Sequence, residues 1–182
     1  MPKPDLAGKS PRFSHWIFDW SETIVVALVM ALIIRAFFLQ VFWIPSSSME
    51  PSLNINDRIL VNKVIYHFVP PHRMDILVFR QVAPEGTPKR DLIKRLIGLP
   101  GETLEVKQGI IYINGKPIEE KHAMNQDYAN FGSVKIPADS YFMMGDNRPA
   151  SADSRYWGVL PKKLLIGQAF LRLWPLSVFG LI

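Results

Sequence analysis

Cysteine is absent from this chain of 182 residues, which excludes disulfide scaffolds, thiolate zinc sites and a cysteine nucleophile. That absence leaves the redox compartment open. There is no basic helix and no aromatic-basic repeat, so the net charge of +5 does not point to nucleic acid. Internal repeats and low-complexity segments are missing too. Histidine is sparse: His15, His67, His72 and His122 are the four, and none sits in a recognisable catalytic context. A Ser-His-Asp triad is therefore weakly supported. What the chain has in excess is proline, 15 scattered residues that suggest turns and loops rather than a bundle of long helices. Its length suits one domain with a real core, or an anchor plus one domain.

Only one long apolar segment is present. Thr23 to Ile34 is uncharged, about 18 Å as a helix and too short for a hydrocarbon core of about 30 Å. Apolar character continues from Trp16 to Trp43, interrupted by Asp19, Glu22 and Arg35. At about 100° per residue, Glu22 and Arg35 lie about 220° apart, which does not make the single polar face of a surface helix. The pattern predicts a cytoplasmic segment over 1–19 and a transmembrane anchor over 20–42. Arg35 snorkels, and Trp16, Trp20 and Trp43 suit the aromatic belts. Lys3, Lys9 and Arg12 precede the span, and no Lys or Arg occurs between Arg35 and Arg58, so the N-terminus is expected in the cytoplasm. A cleaved secretion signal is the alternative, but no small-x-small site follows.

Beyond the anchor, short strands alternate with turns. Arg58 to Val64, Asp75 to Phe79, Asp91 to Ile97, Ser140 to Met144 and Ile166 to Leu173 read as strands. Thr103 to Val106 and Gly109 to Ile113 read as a hairpin, and Asn114-Gly115 turns the chain towards a short strand at Pro117-Ile118. Residues 119–137 read as a loop, and Pro161 to Leu165 as one helical turn. The expected fold is mainly β, a transmembrane helix followed by an antiparallel β domain.

Three clusters carry chemistry. The first is Ile44-Pro45-Ser46-Ser47-Ser48-Met49-Glu50-Pro51-Ser52-Leu53, with serines in a proline-stiffened extended segment just past the anchor. It looks like a hydroxyl nucleophile in need of a base. The second is Lys94, which on a strand shares a face with Leu92 and Leu96. Bringing an ammonium from about 10.4 to about 7 takes roughly 4–5 kcal/mol of differential destabilisation, which demands near-complete burial. Spacing alone favours the blander reading, a lysine snorkelling beside Arg95. The third runs from Gly145 to Gly158, dense in Asp, Asn, Arg and Ser, and reads as a hydrogen-bonded turn ordered by Asp153 and Arg155.

Together, IPSSSMEPSL, NDRILVNKV, RMDILVF, DLIKRLIGLPGE and GDNRPASADSRYWG resemble the type I signal peptidases (leader peptidases) in order and spacing. The resemblance implies a β-rich catalytic domain over 43–182 outside the cytoplasm, with a small cap at about 99–139. It puts the nucleophile on Ser48 and the general base on Lys94. The oxyanion hole falls on the Ser46 hydroxyl and the Ser48 amide, and the hydroxyl that orients the lysine falls on Ser151. Asp153 and Arg155 match a supporting ion pair and Gly145 a close-packed position. Asn56 and Met74 stand where the family usually has Gly; Asn tolerates a left-handed turn, whereas Met alters local backbone geometry.

The implied activity is signal-peptide removal from exported preproteins after small residues, with no metal or cofactor. An extended substrate would pair near Asp91–Ile93 and Phe42–Ser46, across Pro45, with Ile44, Met49, Leu53 and Ile93 lining shallow apolar pockets. The expected partners are preproteins and the lipid bilayer, the enzyme being a monomer in the cytoplasmic membrane, or in a thylakoid membrane if the source has one. An organellar processing peptidase of the same Ser-Lys class and an inactive membrane-tethered peptide-binding β module are the rival readings. The apolar tail Trp174 to Ile182 is too short to span, leaving core packing or interfacial contact open.

Overall fold

The computed structural model describes residues 13–82, 86, 90–123 and 127–182, with side chains from residue 20 onward except at 36. The N-terminal charges used to orient the anchor, and the side chains of His15, Trp16 and Asp19, lie outside the described residues. The chain divides into two compact units, the second beginning at Phe38.

The first unit carries α1 (Phe13–Phe37), proline-free and rich in apolar residues. Its described apolar side chains face outward, with Ile24 61% and Leu28 59% exposed. Among the described residues no helix is long and apolar enough to cross a membrane. The expected boundary at residue 42 is corrected: the helix stops at Phe37, and Leu39–Trp43 is strand β1. Its residues suit a pleated, half-buried surface, and they form a ladder with β2 (Arg58–Asn62) in which Val41 faces Leu60.

The second unit holds the remaining strands: β3 (Ile76–Arg80), β4 (Asp91–Gly98), β5 (Thr103–Lys107), β6 (Ile110–Ile113), β7 (Lys116–Pro117), β8 (Phe131–Lys135), β9 (Ser140–Met144), β10 (Leu160–Pro161), β11 (Leu165–Trp174) and β12 (Gly180–Leu181). One sheet runs β1-β2-β11-β3-β4-β9-β10, with β12 on β11; the other runs β7-β6-β5-β8. Every pairing is antiparallel. The mainly β expectation therefore holds. Loop chemistry fixes the smaller sheet. Gln108-Gly109 and Asn114-Gly115 each have two successive positive φ angles, as two-residue hairpins require for the strand twist. The loop reading of 119–137 is corrected by β8, which pairs with β5; FGSVK alternates too weakly to announce itself, and the ladder decides.

Core residues fall into three clusters. One joins Ile44, Met49, Leu53, Ile59, Val61 and Val78; a second joins Leu77, Phe79, Leu96 and Met143. The third, between β4, β9 and the small sheet, is apolar: Ile97, Leu104, Val106, Ile111, Ile136 and Phe142. Each fully buried side chain of this size contributes roughly 1.5–3 kcal/mol. Asn56 (φ 74°) and Met74 (φ 78°) both adopt the left-handed backbone. Asn does so at little cost, whereas Met carries a penalty of about 1–2 kcal/mol there.

Candidate active site

Where β9 ends, the sheet makes room. Met144 pairs with Arg95, the last register position on that side, so the next residues, Gly145 and Lys94, face each other where the ladder stops. Into this gap comes the serine segment. Ser47–Met49 form a single 3-10 turn, pinned by Glu50 N–H donating to Ser47 O (3.1 Å) and Leu53 N–H donating to Met49 O (2.8 Å). Met49 and Leu53 have no exposed surface, so apolar burial anchors the turn and presents Ser48 to the gap.

Ser48 and Lys94, 46 residues apart, meet there. Lys94 Nζ donates to Ser48 Oγ at 2.5 Å, and both residues are buried, 6% and 4% exposed. Burial pushes the Lys94 ammonium down to about 8, although the Asp153 and Asp146 carboxylates pull the other way. Leu77, which pairs with Lys94 across the ladder, and Leu92 and Leu96 on β4 belong to or pack on one apolar cluster, as the strand alternation predicts. Ser46 Oγ lies 3.4 Å from Ser48 Oγ and remains exposed.

Gly145 has no room for a side chain: a Cβ there would approach the Ser48 carbonyl oxygen and come within 2.6 Å of Ser151 Cβ. Its N–H donates to Asp153 Oδ2 (3.1 Å). Asp153, fully buried, accepts from Arg155 through Nε (2.8 Å) and a terminal nitrogen (2.9 Å), the expected pair in bidentate form. Arg155 continues to Asp127 (2.5 Å) and the Arg148 carbonyl (2.7 Å), and Arg148 pairs with Glu120 and donates to Gly145 O. Ser151 is buried against Gly145, but its hydroxyl has no hydrogen-bond partner among the described residues. The expected bond from Ser151 to the lysine is not made in this structure, where Lys94 Nζ is bonded to Ser48.

Sequence reasoning missed two contributors. Arg95 grips Asp146 with two bonds (2.8 and 2.7 Å) and reaches the Met74 carbonyl and Ser52 Oγ, tying β4 to both loops. Asn147 donates its N–H to Ser48 O (3.2 Å) and its Nδ2 to Ser47 O (3.3 Å). Their partners are so distant in sequence that spacing gives no signal. The apolar substrate pockets are also revised. Ile44, Met49 and Leu53 are core residues with at most 2% exposure, so they back the site from within, while Phe42 and Ile93 keep partial surface. Pro45 is exposed, and Asp91 is exposed and paired with Arg80 at 2.8 Å. Among the described histidines none bonds Ser48: His67 meets the Val64 carbonyl, the His72 N–H donates to Asp75, and His122 lines a cleft with Arg172.

A buried hydroxyl-amine pair in an antiparallel β domain, beside a strand edge left open where β9 ends, is an arrangement suited to a peptidase. The comparisons give the family. The description "Signal peptidase, peptidase S26" matches residues 17–174. A signal peptidase I of Leptolyngbya laminosa is 41% identical, covering 98% of this chain and 90% of its own. A probable signal peptidase I-2 of Synechocystis sp. is 42% identical over 96% of this chain and 80% of its own, and a signal peptidase I of Bacillus licheniformis 35% over 93% and 95%. A solved signal peptidase I of Enterococcus faecalis is 32% identical, covering 55% of this chain and 97% of that one, at a TM-score of 0.46. The chain belongs to the signal peptidase family, peptidase S26, and is a hydrolase of that family.

Proposed function

We propose that this protein is a membrane-bound serine endopeptidase that removes signal peptides from exported preproteins after small residues, with Ser48 as nucleophile and Lys94 as general base. The observation that carries the reading is the buried 2.5 Å contact between Lys94 Nζ and Ser48 Oγ, with the amine pushed down to about 8. A lysine in that state is neutral in a useful fraction of molecules near neutral pH and can accept a proton.

Neutral Lys94 takes the Ser48 proton as Oγ attacks the scissile carbonyl. The oxyanion is held by the Ser48 N–H and the Ser46 hydroxyl, which lies close enough to Ser48 Oγ to reach it. Lys94, now an ammonium, gives the proton to the leaving amine, and in its neutral form activates water for deacylation. Ser151, with its buried and unengaged hydroxyl beside Gly145, is the group available to orient the amine once Ser48 Oγ is acylated. No metal or cofactor enters these steps.

Substrate binds as an added strand. Asp91–Ile93 of β4 pairs with β3 on one side, and on its other side, past the end of β9, has no strand partner among the described residues; β1 is an edge strand leading into Phe42–Ser46. Phe42 and Ile93 border shallow pockets. The exposed apolar side chains of α1 support its role as the anchor, and the charges of Lys3, Lys9 and Arg12 before it in the sequence favour the catalytic domain outside the cytoplasm. The enzyme works as a monomer on preproteins at the bilayer.

Detergent-solubilised full-length protein, given a preprotein whose signal ends in Ala-x-Ala, is expected to cut there, and Ser48→Ala and Lys94→Ala to be inert. Equal cleavage by Lys94→Ala sinks the dyad. No cleavage by the wild type leaves a peptide-binding β module instead.

A further inference from the structure

We propose that Asn147 is a positioning residue for the oxyanion hole, acting through the Ser47–Ser48 peptide unit. The inference rests on the reading that the Ser48 N–H is an oxyanion donor, and it concerns what aims that donor. Asn147 meets the serine turn twice, through its N–H to Ser48 O (3.2 Å) and through Nδ2 to Ser47 O (3.3 Å). The Ser47 carbonyl and the Ser48 N–H belong to one planar trans peptide and point in opposite directions. A group that holds the oxygen therefore fixes the line of the N–H. The second partner of Ser47 O, the Glu50 N–H at 3.1 Å, comes from the same turn and moves with it. Asn147 is the contact made from outside. A carbonyl that accepts hydrogen bonds also polarises its peptide and strengthens the N–H as a donor.

The amide orientation follows from chemistry. Ser47 O only accepts, so the NH2 of Asn147 faces it; the flipped amide would set two oxygens against each other. Asn147 Oδ1 is buried with no partner among the described residues, an unfavourable arrangement that packing alone does not select. Asn147 is itself held. Its carbonyl accepts the Ala150 N–H (3.1 Å), and its neighbour Asp146 is gripped by Arg95, the residue after Lys94. One short turn thus ties the nucleophile's peptide to the strand that carries the base.

Full-length enzyme in detergent, as wild type, Asn147→Ala and Asn147→Asp, tests this. Asp is isosteric and keeps the backbone bond but loses the Nδ2 donor, so a purely space-filling role predicts that it outperforms Ala. The positioning role predicts that kcat falls about 10-fold in Ala and at least as far in Asp, with KM within twofold. It also predicts that a substrate-derived peptide aldehyde, whose adduct oxygen occupies the oxyanion hole, weakens by the factor lost in kcat/KM. The acid limb of the pH profile stays in place in Ala, whereas the carboxylate added in Asp favours the Lys94 ammonium, as Asp153 and Asp146 do, and moves the limb to higher pH, so kcat is compared on the alkaline plateau. An Asp variant more active than Ala, a loss confined to KM, or an unchanged aldehyde affinity overturns the proposal. If Ala fails to fold, wild type and Asp compared on the alkaline plateau, in kcat and in aldehyde affinity together, decide. Wild-type enzyme that does not cleave, or active Ser48→Ala, refutes the underlying reading instead.

Discussion

Two neighbouring regions treat buried charge in opposite ways. The turn after β9 is saturated: Asp146 is gripped by Arg95, Asp153 and Asp127 by Arg155, and Glu120 by Arg148. Beside it, Lys94 is equally buried but, among the described residues, bonded only to a hydroxyl. Arg95 and Lys94 are adjacent on one strand and enter different pockets, and the guanidinium stays protonated in either setting whereas the amine can lose its proton. A cation with carboxylate partners stays charged and ties loops together, whereas one without them becomes a candidate proton acceptor. The saturated turn holds the starved pair in place while its carboxylates limit how far the lysine is lowered.

Removing either half of the pair is the most severe break. Ser48→Ala and Lys94→Ala should each lower kcat/KM by about 10³-fold or more in the preprotein assay. Gly145→Ala keeps both groups but forces Ser151 and the Ser48 carbonyl away from the added Cβ; kcat should drop roughly 10²-fold with the fold retained by circular dichroism. Asp153→Asn moves charge from the saturated side. It removes a carboxylate that favours the ammonium and leaves Arg155 nearby, so the acid limb of kcat/KM should move to lower pH. The smallest effect is on stability. Lys94 is lowered on folding, so the unfolded chain binds more protons between about pH 8 and the usual lysine range, and the folding penalty is full below that window and lost above it. Lys94→Met should therefore stabilise the catalytic domain at pH 7 by roughly 1–3 kcal/mol in chemical denaturation, and by little at pH 11.

The strands were legible where alternation and turn chemistry agreed, as at Arg58–Asn62 and Asn114-Gly115. They were not where the ladder alone decides. Leu39–Trp43 reads as a continuation of the apolar helix, and Phe131–Lys135 as polar loop. For the site, the serine run announced itself by its setting, and its motif order identified Lys94, which spacing alone left as a surface lysine. Asn147 and the Arg95–Asp146 pair stayed hidden because their contacts, 100 and 51 residues apart, carry no periodicity. Burial of Ile44, Met49 and Leu53 beneath the surface was equally invisible, since an apolar residue reads the same whether it lines a pocket or backs it.

The most direct test is an NMR titration of Lys94 in the full-length protein, assigned by its loss in Lys94→Met. A midpoint near 8 is expected of a buried amine with no carboxylate bonded to it. An ordinary midpoint above about 10 would show an ammonium that stays charged and cannot accept the Ser48 proton.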